Sequence, residues 1–254
     1  MTRGVLLGLA LLLSAAPASA QSAGGSPFLS RFDFWVSMEH LSHDDPRYVW
    51  DGKWTAELDL VDYGSGRTQF AAEYQTILGE EFRIFDPNQG NYMLEGSTSV
   101  RLPAVELVGV FHHVSRHLSD RPKRFPVDWN MIGGRAQATV ARGRTQVRAR
   151  ADLRKVIQHT YVDYVWELDT EAAGRVRLRP RAALVALGQL RLLGVDGTRG
   201  RGTQYGARGE GGLRLDGAAA ALELIVAVER RIDPYQLEFS TATWWSAGFR
   251  LTSR

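Results

Sequence analysis

The feature that most constrains this chain is a two-residue alternation of polar and apolar side chains, recurring over long segments. In 174–188, arginines fall at 175, 177, 179 and 181, while Val176, Leu178, Ala182 and Leu184 take the other face. In 145–153, Gln146, Arg148, Arg150 and Asp152 alternate with Val147, Ala149, Ala151 and Leu153. In 161–168, Tyr161, Asp163 and Glu167 oppose Val162, Tyr164, Trp166 and Leu168. Successive side chains of a strand point to opposite faces, and a core-facing helix would not space four arginines by two. The alternating segments run to about 12 residues, where sandwich strands average nearer six. Long alternating strands separated by turn residues are the pattern of a closed transmembrane β-barrel.

Export is consistent with that class. Residues 1–20 read as a secretory signal peptide: Arg3, the apolar run 5–13, then Ala18-Ser19-Ala20 before Gln21. The run is too short for a spanning helix, which needs about 20 apolar residues. Residues 21–30 read as a flexible leader and 31–254 as one barrel domain. There are no cysteines, so stability must come from closed hydrogen bonding and packing. The net charge of +3 reflects a thin arginine excess with no concentrated basic tract, which argues against a nucleic-acid partner. The expected location is the outer membrane of a Gram-negative-type bacterium. Membrane lipids are the expected surroundings, barrel-assembly machinery the expected partner during insertion, and a homodimer stays open.

The alternation predicts an all-β, antiparallel barrel of about twelve strands, with ten as the fallback. The strands are placed at 31–40, 50–62, 67–79, 91–102, 104–116, 128–140, 145–157, 159–170, 174–188, 203–215, 218–230 and 241–253. Short connections alternate with long ones, as periplasmic turns alternate with outer loops. Only the connection near Gln158 breaks that rhythm. The arginines at 175, 177, 179 and 181 are expected to face the lumen. Lumenal arginines are expected to meet Glu167, Asp152, Glu210, Glu223 and Glu229. An anion-selective pore is the functional alternative to such a filled interior.

One segment carries chemistry. In 105–132, Val105, Leu107, Gly109, Phe111, His113 and Ser115 share one strand face, and Glu106 on the other face marks the lumen side. On the returning strand, Asp128, Asn130 and Ile132 share the lipid face. His113, Ser115 and Asn130 then meet near the outer-leaflet ester level. A serine nucleophile needs a base to take its proton, and the base needs a third group to fix its tautomer. A polar barrel rim is the structural alternative. His112, His113 and His117 fall at spacings that zinc sites do not favour.

These residues resemble the outer-membrane phospholipase A family, twelve-stranded barrels with a lipid-facing Ser-His-Asn triad. The matching residues are His113-Val114-Ser115, the loop 116–127, and Trp129-Asn130. Phe82-Arg83, Asn91-Tyr92 and Arg101-Leu102 extend the likeness upstream. The resemblance implies Ser115 as nucleophile, His113 as base and Asn130 as orienting residue. It also implies calcium near the serine, for which Ser119 and Asp120 are the candidates, with Arg116 as a substitute oxyanion stabiliser. Ser115 is followed by Arg116 and His117 where the family has Asn and Gly. The segment is also similar to lipid A 3-O-deacylase barrels, which would make Asp128 the third member. A third likeness, of 113–120, is to an uncharacterised outer-membrane family and implies no activity. The non-enzymatic alternative is a structural or transport barrel.

Overall fold

A computed structural model describes residues 27–253, and the expected signal peptide and most of the expected leader lie outside them. The described chain forms twelve strands: β1 (Phe28–Leu41), β2 (Trp50–Asp62), β3 (Arg67–Gly79), β4 (Asp86–Arg101), β5 (Glu106–Leu118), β6 (Val127–Arg142), β7 (Thr145–Thr160), β8 (Tyr164–Arg179), β9 (Ala182–Val195), β10 (Gln204–Asp216), β11 (Ala220–Ile232) and β12 (Thr241–Ser253). Each pairs with its neighbour in sequence, and β1 pairs antiparallel with β12 to close the barrel. Closure matters because lipid offers no partner to an unpaired amide. Short turns at 63–66, 102–105, 143–144, 180–181 and 217–219 share one rim with both described chain ends. That rim is periplasmic by the short-turn rule, and the longer loops face outward.

Several boundaries differ from the sequence reading, three of them with consequences. β1 starts at Phe28, so the leader's last residues are strand. β4 starts at Asp86, five residues early, with Asp86 and Asn88 buried in it. The largest difference is in β8, which runs unbroken through Thr170 and Gly174, where a turn was expected. The turn comes instead at Pro180-Arg181. Proline cannot donate to a ladder, so the residue that marred the expected strand marks its end. Only Arg175 of the four arginines therefore meets a carboxylate in the wall, Asp216 at 2.5 Å. Arg177, Arg179 and Arg181 sit exposed at the periplasmic rim.

Outward positions form an apolar belt that includes Leu107, Phe111, Ile132, Leu153, Leu224 and Phe249, all exposed. The inward face is the reverse, a lattice of ion pairs. Arg135 grips Glu95 through both terminal nitrogens at 2.9 Å and Asp152 at 2.6 Å. Arg208 joins Glu39, Glu210 and Glu229, and Arg250 joins Glu210 to Glu223. Arg231 spans Asp51 and Glu229. Arg154 and Arg191 share Glu167. All five carboxylates singled out in the sequence carry arginine partners. At the outer end, loop 233–240 folds over the lumen. Arg116 donates to the Asp233 and Pro234 carbonyls at 2.7 and 2.9 Å, and Tyr164 and Arg201 hold the Asp233 carboxylate at 2.8 Å.

Breaking a buried pair strands its partner, at a cost of about 3–5 kcal/mol. Glu167→Ala is therefore expected to lower barrel stability by up to about that amount, read by urea unfolding in vesicles, because Arg154 and Arg191 lose their shared buried partner and keep only Asp169 and, for Arg154, Asp152. Glu238→Ala removes an exposed pair with Arg47 and is expected to cost less than about 1 kcal/mol. In planar bilayers the protein is expected to pass no large steady anion current. Such a current would overturn the picture of a filled lumen closed by loop 233–240.

Candidate active site

Register sets the site. Across β4, β5, β6 and β7, one outward rung reads Leu94, His113, Asn130 and Gln158. The rung above it reads Tyr92, Ser115, Asp128 and Thr160. Above that, Gly90 faces His117. One rung nearer the midplane stand Gly96, Phe111, Ile132, Lys155 and Trp166. The tilted rings of Trp54, Tyr74 and Tyr92 run along the same wall at centroid spacings of 5.8 and 4.9 Å, and His117 meets Tyr92 edge-on at 5.4 Å. Aromatic girdles mark the membrane interface. Ser115 therefore sits where acyl chains join their headgroups.

His113 Nδ1 lies 2.7 Å from Asn130 Oδ1. Asn130 Nδ2 in turn donates to Gln158 Oε1. An amide that gives its N–H to Gln158 presents only its oxygen to the imidazole, so His113 carries its proton on Nδ1. Nε2 is left with a free lone pair, which is the requirement for a base. Gln158 reaches this face through a β-bulge. Asn130 pairs with Gln158 but Met131 pairs with Val156, leaving Ile157 as the extra residue. Val156 points inward and Ile157 outward. Without the slip, Gln158 would face the lumen. Bulges commonly re-aim side chains in this way.

The serine differs from expectation. Ser115 Oγ is bonded to His117 Nε2 at 2.8 Å, two residues on, and not to His113. The structure thus brings His113 to Asn130 and Ser115 to His117, as two adjacent pairs on one wall. Asp128 lies directly opposite Ser115, and its Oδ1 is buried without a hydrogen-bond partner.

Arg116 is corrected outright as an oxyanion donor. Alternation turns its guanidinium to the lumen, where it holds loop 233–240 and Gln89. Behind it, Lys123 donates to the Arg116 carbonyl and to Gln236. Burial and then the Arg116 charge push the Lys123 ammonium below its ordinary value.

Ser119 and Asp120, the calcium candidates, make other contacts. The Asp120 carboxylate is paired with Arg83 at 2.9 Å and the Ser119 carbonyl accepts from Arg121 at 3.1 Å, so each is already engaged by an arginine. Among the described residues no group of three acidic or histidine side chains is placed to hold a metal. Sequence reading weighed His117 only as a metal ligand, and it missed Gln158 and Lys155. The repeat of the serine spacing at 117 was a visible signal, whereas the bulge that recruits Gln158 left none.

No protein-family model and no curated protein matches the chain. Solved structures do. The Salmonella typhi outer membrane phospholipase dimer with bound calcium is 14% identical with a TM-score of 0.55, covering 92% of this chain and 94% of that one. Outer membrane phospholipase A from Escherichia coli is 14% identical with a TM-score of 0.55, covering 95% and 98%. A form of the latter with an active-site asparagine replaced by alanine gives 14% and 0.53, covering 95% and 92%. The likeness establishes the fold, an outer-membrane β-barrel.

The tautomer is directly measurable. Imidazole ¹⁵N spectra of the neutral state are expected to show His113 protonated at Nδ1, with the preference lost in Asn130→Ala and weakened in Gln158→Ala. An Nε2–H form in the unmodified protein would overturn the relay.

Proposed function

We propose that this barrel is a lipid-facing acyl-ester hydrolase of phospholipase A type, with Ser115 as nucleophile, His113 as base and Asn130 as the residue that orients it. The observation that carries the reading is the 2.7 Å His113–Asn130 bond on the outer wall, one rung from the serine. The similarity to outer membrane phospholipases, one of them described by its active-site asparagine, supports it. The surroundings this reading needs are membrane lipids. The Salmonella neighbour suggests a second copy of the chain as a partner.

In this reading a rotation of Ser115 between staggered wells moves its hydroxyl from His117 to Nε2 of His113. The Ser115 oxygen attacks the ester carbonyl carbon, and its proton passes to His113 Nε2. Asn130 Oδ1 accepts from Nδ1–H throughout and steadies the imidazolium. Collapse of the tetrahedral intermediate breaks the ester C–O bond, and the leaving alkoxide takes the proton from His113. Water, deprotonated by the same nitrogen, then releases the fatty acid and restores the serine. Desolvation at the lipid interface strengthens each of these polar contacts.

The 2.8 Å Ser115–His117 bond favours a second assignment, in which His117 is the base. Asp128 would then be the acidic third member, as in lipid A deacylases, and its unpartnered oxygen is available for that part. Mass spectrometry of membrane lipids separates the two. Under the leading assignment, Ser115→Ala and His113→Ala are expected to lower lysolipid and fatty-acid release by about 10²–10⁴-fold, the usual worth of a general base. Asn130→Ala is expected to be milder and His117→Ala to retain activity. Loss in His117→Ala and Asp128→Ala with activity kept in His113→Ala would reverse the assignment. Equal lipid profiles for unmodified protein and Ser115→Ala, with the barrel inserted and calcium supplied, would sink the enzymatic reading in favour of a structural or transport barrel.

A further inference from the structure

The periplasmic rim is electrically lopsided. At most of its circumference each cation is answered by a carboxylate. Arg31 meets Glu57 and Asp59, Arg67 meets Asp59 and Glu106, Arg101 meets Asp62, and Arg214 meets Asp216 and Glu223. One sector departs from this. The β6–β7 turn carries Arg142 and Arg144, and the β8–β9 turn carries Arg177, Arg179 and Arg181. All five are exposed, and among the described residues none has an ion-pair partner. No acidic residue occurs in 138–151 or in 172–195, the segments that form this part of the rim. The turns are joined, since the Arg177 amide donates to the Arg144 carbonyl at 2.8 Å. Two stretches more than thirty residues apart in sequence thus become one patch.

The depth of the patch identifies its occupant. Val147, Val176 and Leu178 are exposed large apolar residues interleaved with the arginines on the same strand ends. They continue the outward apolar belt, and Arg142 and, past the register shift after Arg177, Arg179 share its outward face, so these arginines stand at the boundary between hydrocarbon and headgroups. Guanidinium matches phosphate in charge and in the geometry of its paired donors. Leaving five like charges together unanswered is unfavourable unless an anion lies against them.

We propose that this sector is a binding site for anionic phospholipid headgroups of the periplasmic leaflet, with Arg142, Arg144, Arg179 and Arg181 holding the phosphates and Arg177, on the lumen-side parity of Arg175, adding its charge from behind. The site lies at the opposite rim from Ser115 and is independent of any activity there. It anchors the barrel's depth and tilt on the β6–β9 side, much as basic clusters next to other membrane segments select acidic lipid.

The test uses the whole purified barrel in detergent, supplied with phosphatidylglycerol or phosphatidylcholine, with retained lipid counted by native mass spectrometry. The unmodified protein is expected to retain phosphatidylglycerol at least about fivefold over phosphatidylcholine, the factor one basic residue supplies near an acidic surface. The preference is expected to fall as salt is raised. Changing all five arginines to glutamine is expected to abolish it, and changing all five to lysine to keep most of it. No preference in the unmodified protein, or a preference that survives the glutamine changes, would overturn the proposal. So would equal occupancy by inorganic phosphate in competition, which would indicate a soluble-anion site. Should the glutamine variant fail to fold, the salt titration of the unmodified protein decides, because retention unmoved by salt is incompatible with a site held by charge.

Discussion

Everything in this molecule depends on one constraint: a backbone that meets lipid must satisfy its own hydrogen bonds. A sheet meets it only by closing, and here the β1–β12 ladder from Trp35–Thr252 to Leu41–Ser246 does so. Once the ladder is closed, each side chain is assigned to one of two solvents by its parity along the strand. Hydrocarbon takes one parity and the lumen the other. The apolar belt, the arginine lattice and the lipid-facing histidine–serine wall are consequences of that single division.

The lumen shows how such a barrel manages without an apolar core. Two small hydrophobic clusters lie near the outer end, one around Trp129, Met131 and Tyr164 and one around Tyr48, Ile77 and Trp244. Most of the remaining interior is bidentate arginine and shared carboxylates. Such pairs contribute little net stability over an apolar filling, but they penalise any register that separates them. Glu210 illustrates this. It is reached by Arg208 on its own strand and by Arg250 from β12, two strands away, so a slipped strand would leave several charges uncompensated at once.

Parity made much of this legible in advance. Glu106 alone assigned the faces of β5, and with them the outward positions of His113, Ser115 and, across the ladder, Asn130. Strand ends were less legible, because alternation continues through a tight turn without interruption. Pro180 held the information that β8 stops there, but the regular arginines around it outweighed it. The pairing within the site was also hidden. Whether Ser115 turns toward His113 or His117 is a rotamer choice between equal spacings, and no pattern in the chain distinguishes them. The charged sector of the rim escaped for a different reason: no single stretch is strongly basic, and the two arginine-bearing turns become neighbours only when β7 pairs with β8.

The bulge at Ile157 has a consequence for how such walls change. A strand in a barrel carries a binary address, and one inserted residue inverts the address of every position beyond it until a turn resets the count. Here the inversion is confined to the last few residues of β7, where it carries an amide that would otherwise face the lumen across to the lipid side and sets it against Asn130. In a helix, the same insertion would rotate a side chain by about a quarter turn. In a barrel wall it transfers the side chain between two phases that never mix. The inventory of groups facing the bilayer can therefore be rewritten by a change in chain length, with the identity of every existing residue left untouched.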